Sequence, residues 1–482
     1  MFDFEAHDMT GLADAVRDGV VAPEDLLEMA LQRMARVNPA LNAVVTIADD
    51  SARRMIARGL PDGPFSGVPF LLKDAGCEAI DFPSHEGSRL MANTQHPIDS
   101  ELYLRLKATG LVPFGRTATP ENSIGVATEA AVYGGPTRNP WDPARTPGGS
   151  SGGSGAAVAA GIVPAAHGAD GGGSIRIPAS CCGLFGFKPT RARLPDGPYS
   201  GEGWGGMAIE GFLTRSVRDT AALLDATAGP DLGAPYVAPP LANGYLAALA
   251  QPPGPRRIAI CETSLSGDPI APECRDAVRE TGRLLEALGH IVEPARPEAD
   301  HFPMMRAWTK IVACGTASAV RAELRAKGRS LLPDDIEGVT RGALRYAEQI
   351  SGADYLDALA TIHRYGREMA AFFQKWDILL TSTLAEPPAK IGRFNHARED
   401  YEAYRIGPNG CFAYSPFTAA FNATGQPAMS VPLHWTDGDL PVGLHFAGRF
   451  GADEDLMSLA GQLEQARPWF DRRPNMRRWL RN

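Results

Sequence analysis

Two runs of small residues constrain this chain more than anything else in it: Gly148-Gly149-Ser150-Ser151-Gly152-Gly153-Ser154-Gly155 and, further on, Asp170-Gly171-Gly172-Gly173-Ser174-Ile175-Arg176. Side chains this small cannot fill a core, so their use is to bring backbone against backbone, or backbone against a ligand. The serines embedded in them are candidate nucleophiles. Upstream, Gly67-Val68-Pro69-Phe70-Leu71-Leu72-Lys73-Asp74 sets Lys73 at the end of an apolar run, which makes a lysine, in place of a histidine, a candidate base. A lysine serves as a base only when neutral, and burial favours that form. The other six lysines have polar, charged or turn-like neighbours, as in Lys188-Pro189. Local sequence leaves open whether Lys73 is that base or a strand-end lysine facing solvent or paired with Asp74.

Composition narrows the class. Of 482 residues, 44% are hydrophobic and 21% charged, which suits a soluble globular protein with a large core. A net charge of −9 argues against a nucleic-acid or anionic-membrane footprint, which needs clustered Lys and Arg, so small-molecule or protein partners are expected, a small-molecule amide substrate first. Seven cysteines without a C-x-x-C pair read as reduced thiols. The acidic start, Asp3 and Glu5, is unlike a secretory signal, and no run approaches the ~20 apolar residues of a membrane span. A cytoplasmic location is expected. Neither Cys181-Cys182 nor the scattered histidines have ligand spacing, so no metal and no cofactor are expected.

Apolar periodicity predicts a helix over 23–37, strand-like runs at 42–47 and 69–72, a helix over 102–108 and an extended 111–114. A helix at 155–160, an extended 162–166, a strand at 257–261, a helix over 273–288 and strands at 377–381 and 442–446 follow. This alternation predicts an α/β fold with a twisted mixed β-sheet core flanked by α-helices on both faces. Residues 301–376 read as a helical excursion beside the sheet. Pro/Gly-rich stretches at 229–240 and 251–255 serve as surface crossings as readily as a boundary, and one domain over 1–482 is the expected organisation.

Amide hydrolysis needs a nucleophile, a base, an acid for the leaving amine and donors for the tetrahedral oxyanion. Ser174 follows three glycines whose amides can line a concave nest. Gly171, Gly172 and Gly173, with the Ser174 amide, are the candidate oxyanion hole, and a helix over 175–182 would add its dipole. The Lys73 segment, the 147–155 loop, the 168–178 run and the tail Cys182-Gly183-Leu184-Phe185-Gly186-Phe187-Lys188-Pro189-Thr190 resemble, in order and spacing, the amidase signature family. Asn422-Ala423-Thr424-Gly425-Gln426-Pro427-Ala428 and Asp439-Leu440-Pro441-Val442-Gly443-Leu444 extend the resemblance over nearly the whole chain, around a signature core at about 65–230.

The resemblance implies a single amidase domain and a Ser-cisSer-Lys triad. The residue matching Ser174 attacks the carbonyl, Ser150 relays the proton after a cis Gly149-Ser150 bond, and Lys73 is the base. Asp170 and Arg176 match positions that brace the active-site loop, and Ser151 a supporting hydroxyl. Asn139-Pro140-Trp141, Ala166-His167-Gly168 and Ser216-Val217-Arg218-Asp219 resemble a branch of the family that opens a cyclic amide from nylon manufacture. There Cys314 matches a substrate-contacting cysteine. Ile124 matches a position whose backbone carbonyl faces substrate in relatives, and its apolar side chain hints at an apolar acyl or amine group. Family habit implies a homodimer. A second class within the family is the glutaminase component of a tRNA-dependent amidotransferase, whose ammonia goes to a partner protein.

Other chemistries fit less well. Gly148-x-Ser150-x-Gly152 satisfies the nucleophile-elbow pattern, but the proline-rich 139–147 cannot be the strand that an elbow follows. The same missing strand removes a dinucleotide loop at Gly153-x-Gly155. His167 lies near Ser174 in sequence and is the competing base.

Overall fold

The computed structural model describes residues 2–478. Eleven strands run in chain order as β1 (Val44–Ile47), β2 (Pro69–Lys73), β3 (Val112–Thr117), β4 (Ala165–Asp170), β5 (Phe185–Lys188), β6 (Ile209–Thr214), β7 (Arg257–Ile260), β8 (Ile291–Pro294), β9 (Ile378–Ser382), β10 (Ala428–Trp435) and β11 (Pro441–Gly448). They form one sheet in the order β1-β3-β2-β4-β6-β5-β10-β11-β9-β7-β8. The sheet is mixed: β2 runs parallel to β3 and β4, and β7 parallel to β8 and β9, while the pairs from β4 through β6, β5, β10 and β11 to β9 are antiparallel. Every residue of β2, β3, β9 and β11 is buried. Successive side chains of a strand point to opposite faces, so burial of all of them means that helices cover both.

Helix 152–159 contradicts local propensity, since its sequence is Gly-Gly-Ser-Gly-Ala-Ala-Val-Ala. A helical glycine costs roughly 1 kcal/mol relative to alanine. Packing explains the choice, because a Cβ on Gly153 would lie 2.3 Å from the Ala118 amide nitrogen just past β3. The helix packs on β2, β3 and β4 and on the helix Arg176–Cys182. Its N-terminal loop is thereby pressed against the end of β2, and the two glycine-rich runs meet.

Long helices His301–Ala326, Gly338–Glu348 and Gly352–Lys375 fill the 301–376 segment. The first packs against the short helices Tyr401–Ile406 and Thr418–Thr424. No helix among the described residues is long and apolar enough to cross a membrane, and all seven cysteines are unpaired.

Differences from the expected elements have local causes. The helix expected over 23–37 continues to Leu41 through Pro39 and stops at Asn42, whose φ of 53° is left-handed. There Asn38 Oδ1 accepts the amides of Ala43 and Val44 at 2.8 Å each. The extended run at 162–166 moves to β4, and β5, β6, β8 and β10 correspond to no predicted run. β5 and β6 carry glycines at 186 and 211 that break the apolar alternation.

Candidate active site

Lys73 ends β2, which is paired on both edges and covered on both faces, so the lysine is 1% exposed. Burial pushes its pKa down to about 8, and the charges of Glu210, Asp170 and Glu86 pull it partway back. Its Nζ lies 2.7 Å from Ser150 Oγ. Asp74 is not its partner; that carboxylate takes the Tyr133 hydroxyl at 2.5 Å and the His85 amide at 3.0 Å. A neutral lysine is acceptor enough to take a proton from Ser150, so the alternative of a solvent-facing lysine falls away.

His167 on β4 accepts the Lys73 backbone N–H at Nδ1 (3.2 Å), which puts its proton on Nε2, donated to Glu210 Oε2 at 2.7 Å. Both ring nitrogens are occupied, which removes His167 as a base for Ser174. Lys73 is also not the only buried lysine. Lys188 on β5 is equally enclosed, and burial, with Arg176 second, pushes its pKa down to about 7. Its Nζ donates to Pro189 O at 2.8 Å and reaches no serine.

The Gly149-Ser150 peptide is cis. The next residue ties the two glycine-rich runs together: Ser151 N donates to Ser174 O at 3.2 Å, and Ser151 Oγ lies 3.2 Å from both the nitrogen and the oxygen of Ala169. Ser151 thus links the 147–155 loop to both Ala169 and Ser174.

Asp170 and Arg176 close the second run into a turn. The guanidinium meets both carboxylate oxygens at 2.9 Å, and neither side chain is exposed. Burial alone would raise the Asp170 pKa, but the charge and hydrogen bonds of Arg176, with Asn422, hold it well below the usual carboxylate range. Asn422 Nδ2 donates to Asp170 O and Oδ1 at 2.8 and 2.9 Å, and its Oδ1 accepts from Arg176 Nη2 at 2.6 Å. Gly173 has a φ of 131°, and a Cβ there would lie 2.3 Å from Thr418 Oγ1, so no other residue fits the turn.

The four expected oxyanion donors have different surroundings. Gly173 N donates to Asp170 Oδ1 at 2.7 Å and is already committed to the brace. Gly171 sits under the Trp204 ring, where a Cβ would lie 2.5 Å from it. The amides of Gly172 and Ser174 find no protein acceptor among the described residues, and these two residues stand on the wall of a cavity. The carbonyls of Gly171 and Gly172 are held from behind by Trp308 Nε1 (3.1 Å) and Thr418 Oγ1 (2.6 Å), which fixes both peptide planes.

That cavity is narrow and opens to solvent. Besides Gly172 and Ser174, its wall includes Val126, Trp204, Trp308 and Arg405. Ser123 and Gly125 also reach it, but Ile124 between them is 1% exposed and packs into the hydrophobic core. The chain turns there through Asn122 and Ser123 at φ 50° and 57°, which points the Ile124 side chain away from the substrate space. Cys314 is half-buried on the helix His301–Ala326 and is not on the wall; the same helix contributes Trp308. Sequence reasoning missed Trp204, Trp308 and Arg405. The one signal for Trp204 was a tryptophan inside Gly201-Glu202-Gly203-Trp204-Gly205-Gly206.

Known proteins resemble this chain over nearly its whole length. The Amidase family pattern matches residues 25–457. The 6-aminohexanoate-cyclic-dimer hydrolase of Paenarthrobacter ureafaciens is 36% identical over 478 residues, spanning 97% of this chain and 96% of that protein. The solved structure of 6-aminohexanoate cyclic dimer hydrolase complexed with substrate is 34% identical with a TM-score of 0.92, covering 98% of this chain and all 100% of the other. A component of the glutamyl-tRNA(Gln) amidotransferase from Thermotoga maritima is a more distant likeness, at 27% identity and a TM-score of 0.77 over 97% of this chain and 96% of that one. The chain therefore belongs to the Amidase family and is a hydrolase of amide C–N bonds.

Proposed function

We propose that the chain cleaves a small aliphatic amide, cyclic or linear, through an acyl-enzyme on Ser174, with Ser150 as proton relay and Lys73 as base. The observation that carries this reading is the 2.7 Å contact between a buried lysine and Ser150, set in a loop bonded to the Ser174 backbone at the edge of a cavity. Ser174 Oγ attacks the carbonyl carbon while its proton passes to Ser150 Oγ and the Ser150 proton passes to Lys73 Nζ. The oxyanion gains the Gly172 and Ser174 amides, donors whose individual removal typically costs ~3 kcal/mol in the barrier. Lys73 then returns a proton through Ser150 to the leaving nitrogen and the C–N bond breaks. Water repeats the cycle on the ester, and acid and amine leave. The seven unpaired cysteines support a reducing, cytoplasmic setting for this chemistry.

A pH profile follows from the lysine. With its pKa near 8, Lys73 is mostly protonated below that value and gains its lone pair above it. kcat/KM is expected to rise about tenfold per pH unit through the acid limb and to level off above the Lys73 pKa. Glu210 is the largest charge holding the pKa up, so Glu210→Gln is expected to shift that limb to lower pH. A profile that falls with pH over the same range contradicts Lys73 as base.

The substrate class is read by assaying the purified chain, without partners, on cyclic and linear aminohexanoate amides, anilides, carbamates and glutamine. Turnover of an aliphatic amide is expected. Turnover of glutamine alone, or none until a second protein is added, would replace this reading with that of an amidotransferase component.

A further inference from the structure

Arg405 lies on the helix Tyr401–Ile406 and is 3% exposed, yet it forms part of the cavity wall. Its Cζ stands 5.0 Å from the Trp308 ring centroid, 5.3 Å from that of Tyr401 and 5.6 Å from that of Tyr404. Three aromatic faces soften the loss of hydration but leave the guanidinium N–H groups unmet. Nε and Nη2 are enclosed without a well-formed hydrogen bond, Tyr401 and Cys411 being polar neighbours of the group, and no carboxylate pairs with it among the described residues. Glu402, on the same helix, is turned to Arg306 at 3.4 Å. The ionisable neighbours Tyr401, Tyr404 and Cys411 supply no countercharge, because burial raises the pKa of all three. Every other buried cation of the site is answered: Arg176 by Asp170, and Lys73 by Ser150 and by loss of its proton. An uncompensated buried guanidinium is costly and persists where something else completes it.

Trp308 connects this charge to the chemistry. The indole under Arg405 is the one whose Nε1 holds the Gly171 carbonyl, so a single ring separates the guanidinium from the glycine turn before Ser174. We infer that Arg405 is a specificity-determining residue that receives a carboxylate carried by the substrate at the end remote from its scissile amide. The inference rests on the proposed acyl-enzyme reading and sharpens it: of the amides that fit, linear ones ending in a carboxylate are preferred to neutral cyclic ones. The carboxylate pairs with the edge of the guanidinium that reaches the cavity and neutralises the pocket.

The test is binding, so that it does not depend on turnover. In the Ser174→Ala chain, calorimetry compares N-hexylhexanamide with N-hexanoyl-6-aminohexanoate, which adds a carboxylate on the amine side, and with adipic acid mono-hexylamide, which adds one on the acyl side. One of the two acids is expected to bind roughly 10- to 100-fold tighter than the neutral amide, and which one tells the side that Arg405 reads. Adding Arg405→Met is expected to bring that ratio close to one, and Arg405→Lys to restore part of it. If neither acid outbinds the neutral amide in the Ser174→Ala chain, the inference is wrong, whether or not the Arg405 variants fold. It is equally wrong if a preference survives in a folded Arg405→Met chain. Failure of the acyl-enzyme reading shows separately, as hydrolysis that persists in Ser174→Ala.

Discussion

Ser174→Ala is expected to lower amide turnover by about five to six orders of magnitude and to leave the protein folded, with stability changed by less than about 1 kcal/mol. Three serines stand on the cavity wall, so the choice of nucleophile is not trivial. Ser415 Oγ is paired with Thr418 Oγ1 at 2.8 Å, and Ser123 Oγ lies 3.3 Å from Thr119 Oγ1. Ser174 Oγ has no protein partner among the described residues and is therefore free to attack. Its structural contribution runs through its backbone carbonyl, which alanine retains. Steady-state rates on any amide the chain cleaves, with thermal melts of both proteins, measure the two halves of the expectation. Residual activity above about a hundredth of the parent would assign the attack to another hydroxyl.

The second large effect is thermodynamic. Asp170→Ala leaves the Arg176 guanidinium buried against Thr418 O and Asn422 Oδ1 without its countercharge. Stranding one partner of a buried pair typically costs about 3–5 kcal/mol. The same change frees the Gly173 amide and loosens the turn that carries Ser174, so activity is expected to fall with stability. Urea titration of both proteins reads the first, and rates under conditions where each is folded read the second. A variant as stable as its parent would mean that Asn422 suffices to hold Arg176. The pH sense also follows. Because the folded-state pKa of Asp170 is depressed, its stabilising contribution is present above the unfolded value near 3.9 and is lost only as pH falls through the lower folded value. Mild acid should slow the enzyme through Lys73 well before it loosens this brace.

Lys73, Ser150, Ser174, Asp170 and Arg176 were legible in the sequence because the site is built from short segments whose smallness is itself abnormal. Glycines and serines at such density state a requirement for close backbone approach, and the structure supplies the atoms that impose it, Ala118 at Gly153 and Thr418 at Gly173. Which peptide N–H faces the cavity was not legible. That Gly173 serves Asp170 while Gly172 faces the cavity depends on how two peptide planes are pinned by Trp308 and Thr418, far along the chain. Ile124 shows the same limit, for its apolar character was plain but its direction is set by two left-handed residues before it. Lys188 read as turn-like beside a proline, and the packing of β5 against β6 and β10 encloses it. Arg405 sits among ordinary helical residues, and nothing in its neighbours' sequence signals that its charge is left unanswered.

The bracing of the glycine turn has a consequence for how the enzyme is made. Thr418 and Asn422, which hold Gly172, Asp170 and Arg176, lie 242 to 252 positions downstream of the residues they hold. A nascent polypeptide that has already released Lys73, Ser150 and Ser174 from the ribosome still lacks these anchors. The glycine turn is thus expected to set only once residues 418–422 have emerged, and translation products truncated before them should leave the amides around them untouched.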